Sequence, residues 1–352
     1  MYSCQRYPRL VAATLSMLAL CQATLSAPKT DITWEGGVTL EAAGVLHGGE
    51  EQGPARRALL ALGGSADSAA LGLGNGGQLH FSGVVIRDRG PVNPAGDLQG
   101  ASNIAAPDAV RLYELWYDQN LGHGIAAQVG LLDLNSTFVV VEDASNLLNS
   151  SFGVIPSISG NVPTPIYPEP AWGASIESTQ GRWTSRAGIF QGDPTQRFQS
   201  WSGGLLSTAE TRYQTDNGSY TFGIWRHSDA ATPAGHLEGA YLLIQHSLGS
   251  PRIRGFVQLG DDVGNEAKVP RYIGAGLDVA GPLAARPRDH LVAGVASASI
   301  RDQAAETSWE LAYVVRLTRR IKLQPDLQYI VHPSGHRATA LLATVRANLS
   351  FN

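Results

Sequence analysis

Beyond residue 21 the 352-residue chain has no cysteine. Its two thiols, Cys4 and Cys21, both fall in an N-terminal stretch that reads as a secretory signal peptide: Arg6 and Arg9 without an acid, an apolar run from Leu10 to Leu20, then the small residues Ala23, Ser26 and Ala27. Cleavage is expected after Ala27, with Ala23 as the other small-residue site. The mature chain, 28–352, would then enter an oxidising compartment with no disulfide or thiolate chemistry available. Loss of Arg6 and Arg9 takes 26 basic residues to 24 against 30 acids, a net charge of −6, which gives no hint of a nucleic-acid partner.

Long apolar runs are missing too. Spanning a bilayer with a helix takes roughly 20 apolar residues, and Leu10 to Leu20 is about half that. No later stretch comes closer, and 40 glycines are too many for long amphipathic helices. Signs of catalysis are equally scarce. There is no Gly-x-Ser-x-Gly elbow. Gly72, Gly74, Gly76 and Gly77 precede a strand pattern rather than the helix a phosphate loop needs. His332 and His336 flank Pro333 and Gly335, which break the helix a metal-binding pair would require, and no glutamate accompanies them. No cofactor or metal is expected, although a noncontiguous Ser and His pair would leave an outer-membrane barrel hydrolase open.

What the chain has is alternation. Trp309, Leu311, Tyr313, Val315 and Leu317 alternate with Ser308, Glu310, Ala312, Val314 and Arg316, and the last segment repeats this from Leu341 to Phe351. Period two means a strand with one apolar and one wetter face. Similar segments surround Phe81, Val129, Ile189, Phe222, Leu243, Val257, Ala275, Val295 and Leu327, for about 16 strands of roughly 8 to 14 residues. Short turns (Asn120 to His123, Thr179 to Arg182, Thr215 to Gly218, Gly249 to Ser250, Thr318 to Arg320) alternate with longer polar connections, above all Arg89 to Asp108 and Asn135 to Pro170. Gly281 to Arg288 is long for a turn, and Asp302 to Ala305 short for a loop.

This pattern predicts an all-β fold, a transmembrane antiparallel β-barrel in one domain over 28–352, with outer-membrane lipid against its apolar face. A soluble secreted sandwich or propeller, such as a sugar-binding module, also alternates. Its apolar face would make a dry core, however, whereas here the polar face carries Gly, Gln, Arg and Glu. Tyr113, Tyr117, Trp172, Trp183, Tyr220, Trp309, Tyr329 and Phe351 sit near segment ends, as interfacial girdles do.

Specific runs add to the pattern. Gly96-Asp97-Leu98-Gln99-Gly100 with Ser102, Asn103 and Ile104, then Arg111-Leu112-Tyr113-Glu114-Leu115-Trp116-Tyr117, resemble motifs of the carbohydrate-selective porins, the OprB-type family. So do Asp133-Leu134-Asn135, Asn149-Ser150-Ser151-Phe152-Gly153, Tyr167-Pro168, and Gln324-Pro325-Asp326-Leu327-Gln328-Tyr329-Ile330 with His332 and Pro333. The resemblance implies a 16-stranded barrel narrowed by infolded loops that passes monosaccharides and other small hydrophilic solutes passively. It leaves monomer and homotrimer both open. Phe351 would present the terminal aromatic that the barrel assembly machinery reads, although Asn352 follows it.

Glu114 lies mid-strand, where a charge facing lipid is expensive. It should face the lumen, and unbroken period two carries Leu112, Trp116 and Asp118 with it. Trp116 beside a carboxylate then becomes a candidate stacking platform for a pyranose ring. The same phase puts Arg111 on the opposite face; it is retained as a site residue on the resemblance alone. Arg186, Arg252, Arg254, Glu310, Gln324, Gln328 and Arg346 are expected on the inner wall by the same phase argument. In the connection from Asn135 to Pro170, Asn149, Ser151, Phe152 and Tyr167 lie among Pro156, Pro163, Pro165, Pro168 and Pro170. That length and stiffness predict an infolded constriction rather than a surface cap.

Overall fold

The computed structural model describes residues 32–51, 53–199, 203–264 and 266–351. The signal peptide expected over 1–27 lies outside them. The strands are β1 (Thr33–His47), β2 (Pro54–Asp67), β3 (Gly77–Arg89), β4 (Ala109–Gly122), β5 (Ile125–Leu132), β6 (Ala171–Gln180), β7 (Trp183–Gln191) and β8 (Leu205–Gln214). They continue with β9 (Gly218–His227), β10 (Leu237–Ser247), β11 (Ile253–Asp262), β12 (Arg271–Ala280), β13 (His290–Ser299), β14 (Glu306–Arg316), β15 (Ile321–Val331) and β16 (Ala340–Phe351). Each pairs antiparallel with its sequence neighbours, and β1 pairs with β16, so the sheet is a closed 16-stranded barrel. Closure gives backbone groups partners within the sheet, as a membrane interior demands.

Polarity runs opposite to that of a soluble barrel. Phe222 and Trp309 are 57% and 55% exposed on the outer face, while Gln258 and Glu306 on the inner face are fully buried. Such an apolar exterior belongs in lipid. Trp183, Tyr220, Trp309 and Tyr329 are exposed on that exterior. Tyr113, grouped with them by sequence, is instead buried on the inside.

Tyr113 marks a local break in the two-residue period. Ser82 pairs with Glu114, but the next residue, Gly83, pairs with Leu112, leaving Tyr113 as the extra residue of a β-bulge. A single inserted residue switches the face of everything on one side of it. Leu112 accordingly faces outward, 43% exposed. Arg111 turns inward, on the same side as Glu114. The sequence-based assignment of these two is thus corrected by the bulge.

Short connections at 123–124, 181–182 and 215–217 close one end of the barrel, and longer ones close the other. Two of the longer ones fold inward. The loop over 133–170 contributes Phe138, Val141, Leu147, Phe152, Ile155 and Ile158 to an apolar cluster completed by Phe190, Trp225, Tyr241, Phe256 and Tyr272 of the wall. The loop over 90–108 lies beside it, with Asn103 N donating to Leu148 O and Ser150 N to Gly100 O, both at 2.8 Å.

Candidate functional site

The inner wall is built from charged and amide side chains, and most of those on β7 to β16 hold loops rather than line open space. On β8, Glu210 accepts from Val139 N at 3.1 Å, from the Tyr241 hydroxyl at 2.8 Å and from Arg186 at 3.0 Å. Arg186 also reaches Glu177 at 2.6 Å. Arg254 is paired with Asp143 of the infolded loop. Glu310 accepts from the backbone N–H groups of Leu148 and Asn149, and Gln328 bonds Ala101 O at 2.7 Å. Gln324 donates to Asn146 O at 2.7 Å. Glu310 and Gln328, proposed from sequence as pore-lining, are buried beneath the loops. Buried acceptors facing a loop backbone satisfy amides that have no strand to pair with.

The loop residues singled out by sequence point at the wall as well. Asn149 donates to Gln328 at 3.2 Å and Ser308 at 3.3 Å. Ser151 is buried, its carbonyl held by the Tyr272 hydroxyl at 3.1 Å. Phe152 packs edge-on against Phe256, ring centroids 5.7 Å apart. The lumen is therefore narrowed by the loop's bulk, not by contact through these three side chains. Tyr167, in the returning arm, donates to Ile104 O at 3.1 Å and meets Tyr113 edge-on at 6.1 Å.

A different cluster stands where β4 meets that arm. Arg111 is paired with Glu169, and the Tyr113 hydroxyl with Asp133. Glu114 accepts weakly from Asp133 N at 3.4 Å, and its own N–H donates to the Ser82 hydroxyl at 3.2 Å. Trp116 is stacked on His80, centroids 4.6 Å apart with planes 17° apart. His80 in turn sits 4.0 Å from both Glu35 and Glu114. One face of the Trp116 ring is covered by the His80 imidazole, which leaves the other face for the stacking expected from sequence. Asp118 lies further toward the short-turn end, opposite Gln78 and Gln128. Arg252 is not on the wall; it sits exposed in the turn after β10.

Several wall residues carry no flag in the sequence reading. Arg57 bridges Glu41 at 2.7 Å and Asp88 at 2.9 Å, and Glu41 is also held at 2.6 Å by Arg346, which the alternation does place on this wall and which reaches Asn103 at 2.7 Å. Glu306 accepts from Leu98 N and Gln99 N. Glu41 and Glu210 show the same signal as Glu114, an acid in mid-strand, and that signal would have found them. On this wall Arg57, Arg111, Arg186, Arg212, Arg254 and Arg346 each pair with an acid, so the inner surface offers donors and acceptors side by side.

Comparison with known proteins agrees with this architecture. The profile of the carbohydrate-selective porin, OprB family, matches residues 51–246 and 208–351. The high-pH structure of Pseudomonas putida OprB superposes with a TM-score of 0.80 at 18% identity, covering 91% of this chain and 94% of that one. The low-pH structure of the same protein gives 0.60 at 18% identity, covering 91% and 92%. A triple mutant of Rhodopseudomonas blastica porin gives 0.58 at 12% identity, covering 91% and 100%. No curated protein matches the chain. With a closed 16-stranded barrel, infolded loops and a profile match across most of its length, this chain belongs to the carbohydrate-selective porin family, the OprB family.

Proposed function

We propose that this outer-membrane porin passes neutral hydroxylated solutes of monosaccharide size along the wall sector formed by β3, β4, β5 and the returning arm of the 133–170 loop. The observation that carries the reading is the cluster of Arg111, Glu169, Glu114, Asp133 and Tyr167. There, the part-exposed Arg111, Glu169, Glu114 and Tyr167 stand over the buried Asp133, beside a loop packed against the opposite wall. A sugar hydroxyl gives up water on entering and needs both kinds of partner in return. Contacts must also stay weak enough for release. The Arg111–Glu169 pair presents hydrogen-bonding groups with little net charge of its own, while Glu114 and Asp133 add negative charge that favours cations. Passive diffusion rather than turnover is the activity to measure. Cleavage after Ala27 and delivery to the assembly machinery through the strand ending at Phe351 complete the reading.

Planar-bilayer conductance with glucose titration tests it. One lost hydrogen bond of about 1 kcal/mol is roughly a fivefold change in affinity. Glu114→Gln should lower cation preference while keeping much of the glucose block. Arg111→Gln combined with Glu169→Gln should weaken the block several-fold with a smaller effect on ion flow. Wild-type conductance, ion selectivity and glucose block in both variants would place the path elsewhere.

A further inference from the structure

The outer face of β2 and β3 carries a charge pattern that solute passage does not use. Arg56 stands directly opposite Arg89 in the antiparallel ladder, and Arg87 opposite Ala58. All three are exposed, on the lipid-facing side near the loop end of their strands. Like charges directly opposite one another are unfavourable. Among the described residues one acid relieves them: Arg89 reaches Asp108 at 2.9 Å. Arg87 bonds only its neighbour's carbonyl, Ile86 O, at 2.9 Å. Among the described residues no hydrogen bond or ion pair is formed by Arg56. The inward-pointing Arg57 between them gives nothing outward, being saturated by Glu41 and Asp88.

Elsewhere on the same rim two outer-face arginines have acids. Arg226 meets Glu238 at 2.7 Å, and Arg271 meets Asp261 at 3.1 Å. On the β2–β3 rim, by contrast, two positive charges are left over among the described residues. They border a groove of about 470 Å³ whose apolar part is formed by Leu40, Ala42, Ala58 and Val345 of the barrel exterior. Small side chains on adjacent strands make the hollow, and guanidinium groups close its upper end.

We propose that this groove binds a phosphorylated lipid of the leaflet at the loop end, with the headgroup phosphate held by Arg56, Arg87 and Arg89 and an acyl chain lying along Leu40, Ala42, Ala58 and Val345. Arginine presents a planar fork that matches phosphate oxygens in pairs, and placement near the interface is the one depth at which a lipid-facing arginine costs little. In a barrel whose long loops face outward, that leaflet is the outer one. Its phosphorylated acyl-disaccharide, lipid A, has both parts of the required chemistry.

Native mass spectrometry of the detergent-purified, folded porin with added lipid A is the test. The wild type should hold a bound lipid A, and dephosphorylated lipid A should bind at least tenfold less. Arg56→Gln with Arg87→Gln and Arg89→Gln should lose the lipid by a similar factor, and Arg56→Gln alone, at an exposed side chain without a partner, several-fold. Ala58→Trp should fill the groove and weaken lipid A. Arg226→Gln with Glu238→Gln should change nothing. Glucose conductance should stay at wild-type level in the Arg56→Gln protein, because that side chain points away from the lumen. Equal lipid A binding by wild type, single and triple variants would overturn the proposal, as would equal binding of the dephosphorylated lipid. Ready displacement of lipid A by inorganic phosphate, with Ala58→Trp unaffected, would mean an anion site without a lipid groove and would overturn it as well.

Discussion

Replacing Glu306 with alanine should free the loop over 90–108 while leaving the barrel closed. This wholly buried carboxylate accepts three backbone donors, Leu98 N at 2.7 Å, Gln99 N at 2.9 Å and Ser334 N at 2.6 Å, tying two separate loops to the first residue of β14. A buried donor left without a partner costs about 1–3 kcal/mol. With the low end taken for each, since an opened loop can turn its amides to water, three donors together amount to about 3 kcal/mol. At 1.4 kcal/mol per tenfold this is roughly a hundredfold in the opening equilibrium. Hydrogen exchange read by mass spectrometry should show that acceleration in peptides covering 96–105, with β14 and β15 unchanged. A pH arm sharpens the test. Burial, and then the nearby charge of Glu306, pushes the Asp97 carboxyl up to about 7. A group raised in the folded state contributes stability that is fully present below its ordinary value of 3.8 and lost as pH rises through about 7. Loop exchange in the wild type, corrected for intrinsic rate, should therefore quicken between about pH 5 and pH 8, and Asp97→Asn should flatten that dependence. Wild-type protection of the loop in Glu306→Ala at every pH would refute the view that this carboxylate holds it.

Two further changes address the larger loop and the chain end. Phe152→Ala removes a ring seated against Phe256 and above Gly294, a loss of about 3–5 kcal/mol borne by the loop; single-channel conductance should rise and glucose block fall, and unaltered channels would show that the loop is held without it. Phe351→Ala, at the β16 residue that pairs with Gly36 of β1, should lower the amount of heat-modifiable barrel in outer membranes severalfold, whereas removing Asn352 should not; equal amounts of folded barrel in wild type and Phe351→Ala would count against a role in assembly.

The barrel was legible because period two survives in nearly every strand and the connections alternate in length. Segments around Val129, Phe222 and Val295 fall in β5, β9 and β13 as the alternation implies. Phase failed at Tyr113. A bulge adds a residue without any compositional mark, and an Arg-Leu-Tyr-Glu run reads equally well with or without one. Depth failed for another reason. Alternation puts Glu310, Gln328 and Arg254 on the correct side of the sheet, but whether that side meets open solvent or a loop backbone depends on contacts across about 160 residues of chain, as between Leu148 and Glu310. Local pattern carries no information at that range. The length and prolines of the 133–170 segment pointed to infolding, yet they could not say which of its side chains would face the wall.

The seam between β1 and β16 joins residues 309 positions apart, as in the 2.9 Å bond from the Thr39 hydroxyl to Asn348. Until the last strand is made and delivered, β1 to β15 form a sheet with two open edges, each a template for mispairing. The ordering cost of so distant a contact grows only logarithmically with separation, so the hazard is one of time rather than of equilibrium. Once the seam shuts, no edge remains from which strands can peel, and escape requires many ladder bonds to part together. The lifetime of this porin in its membrane is then set by that single slow event, and a substitution along the seam can shorten survival while leaving the permeability of intact molecules unchanged.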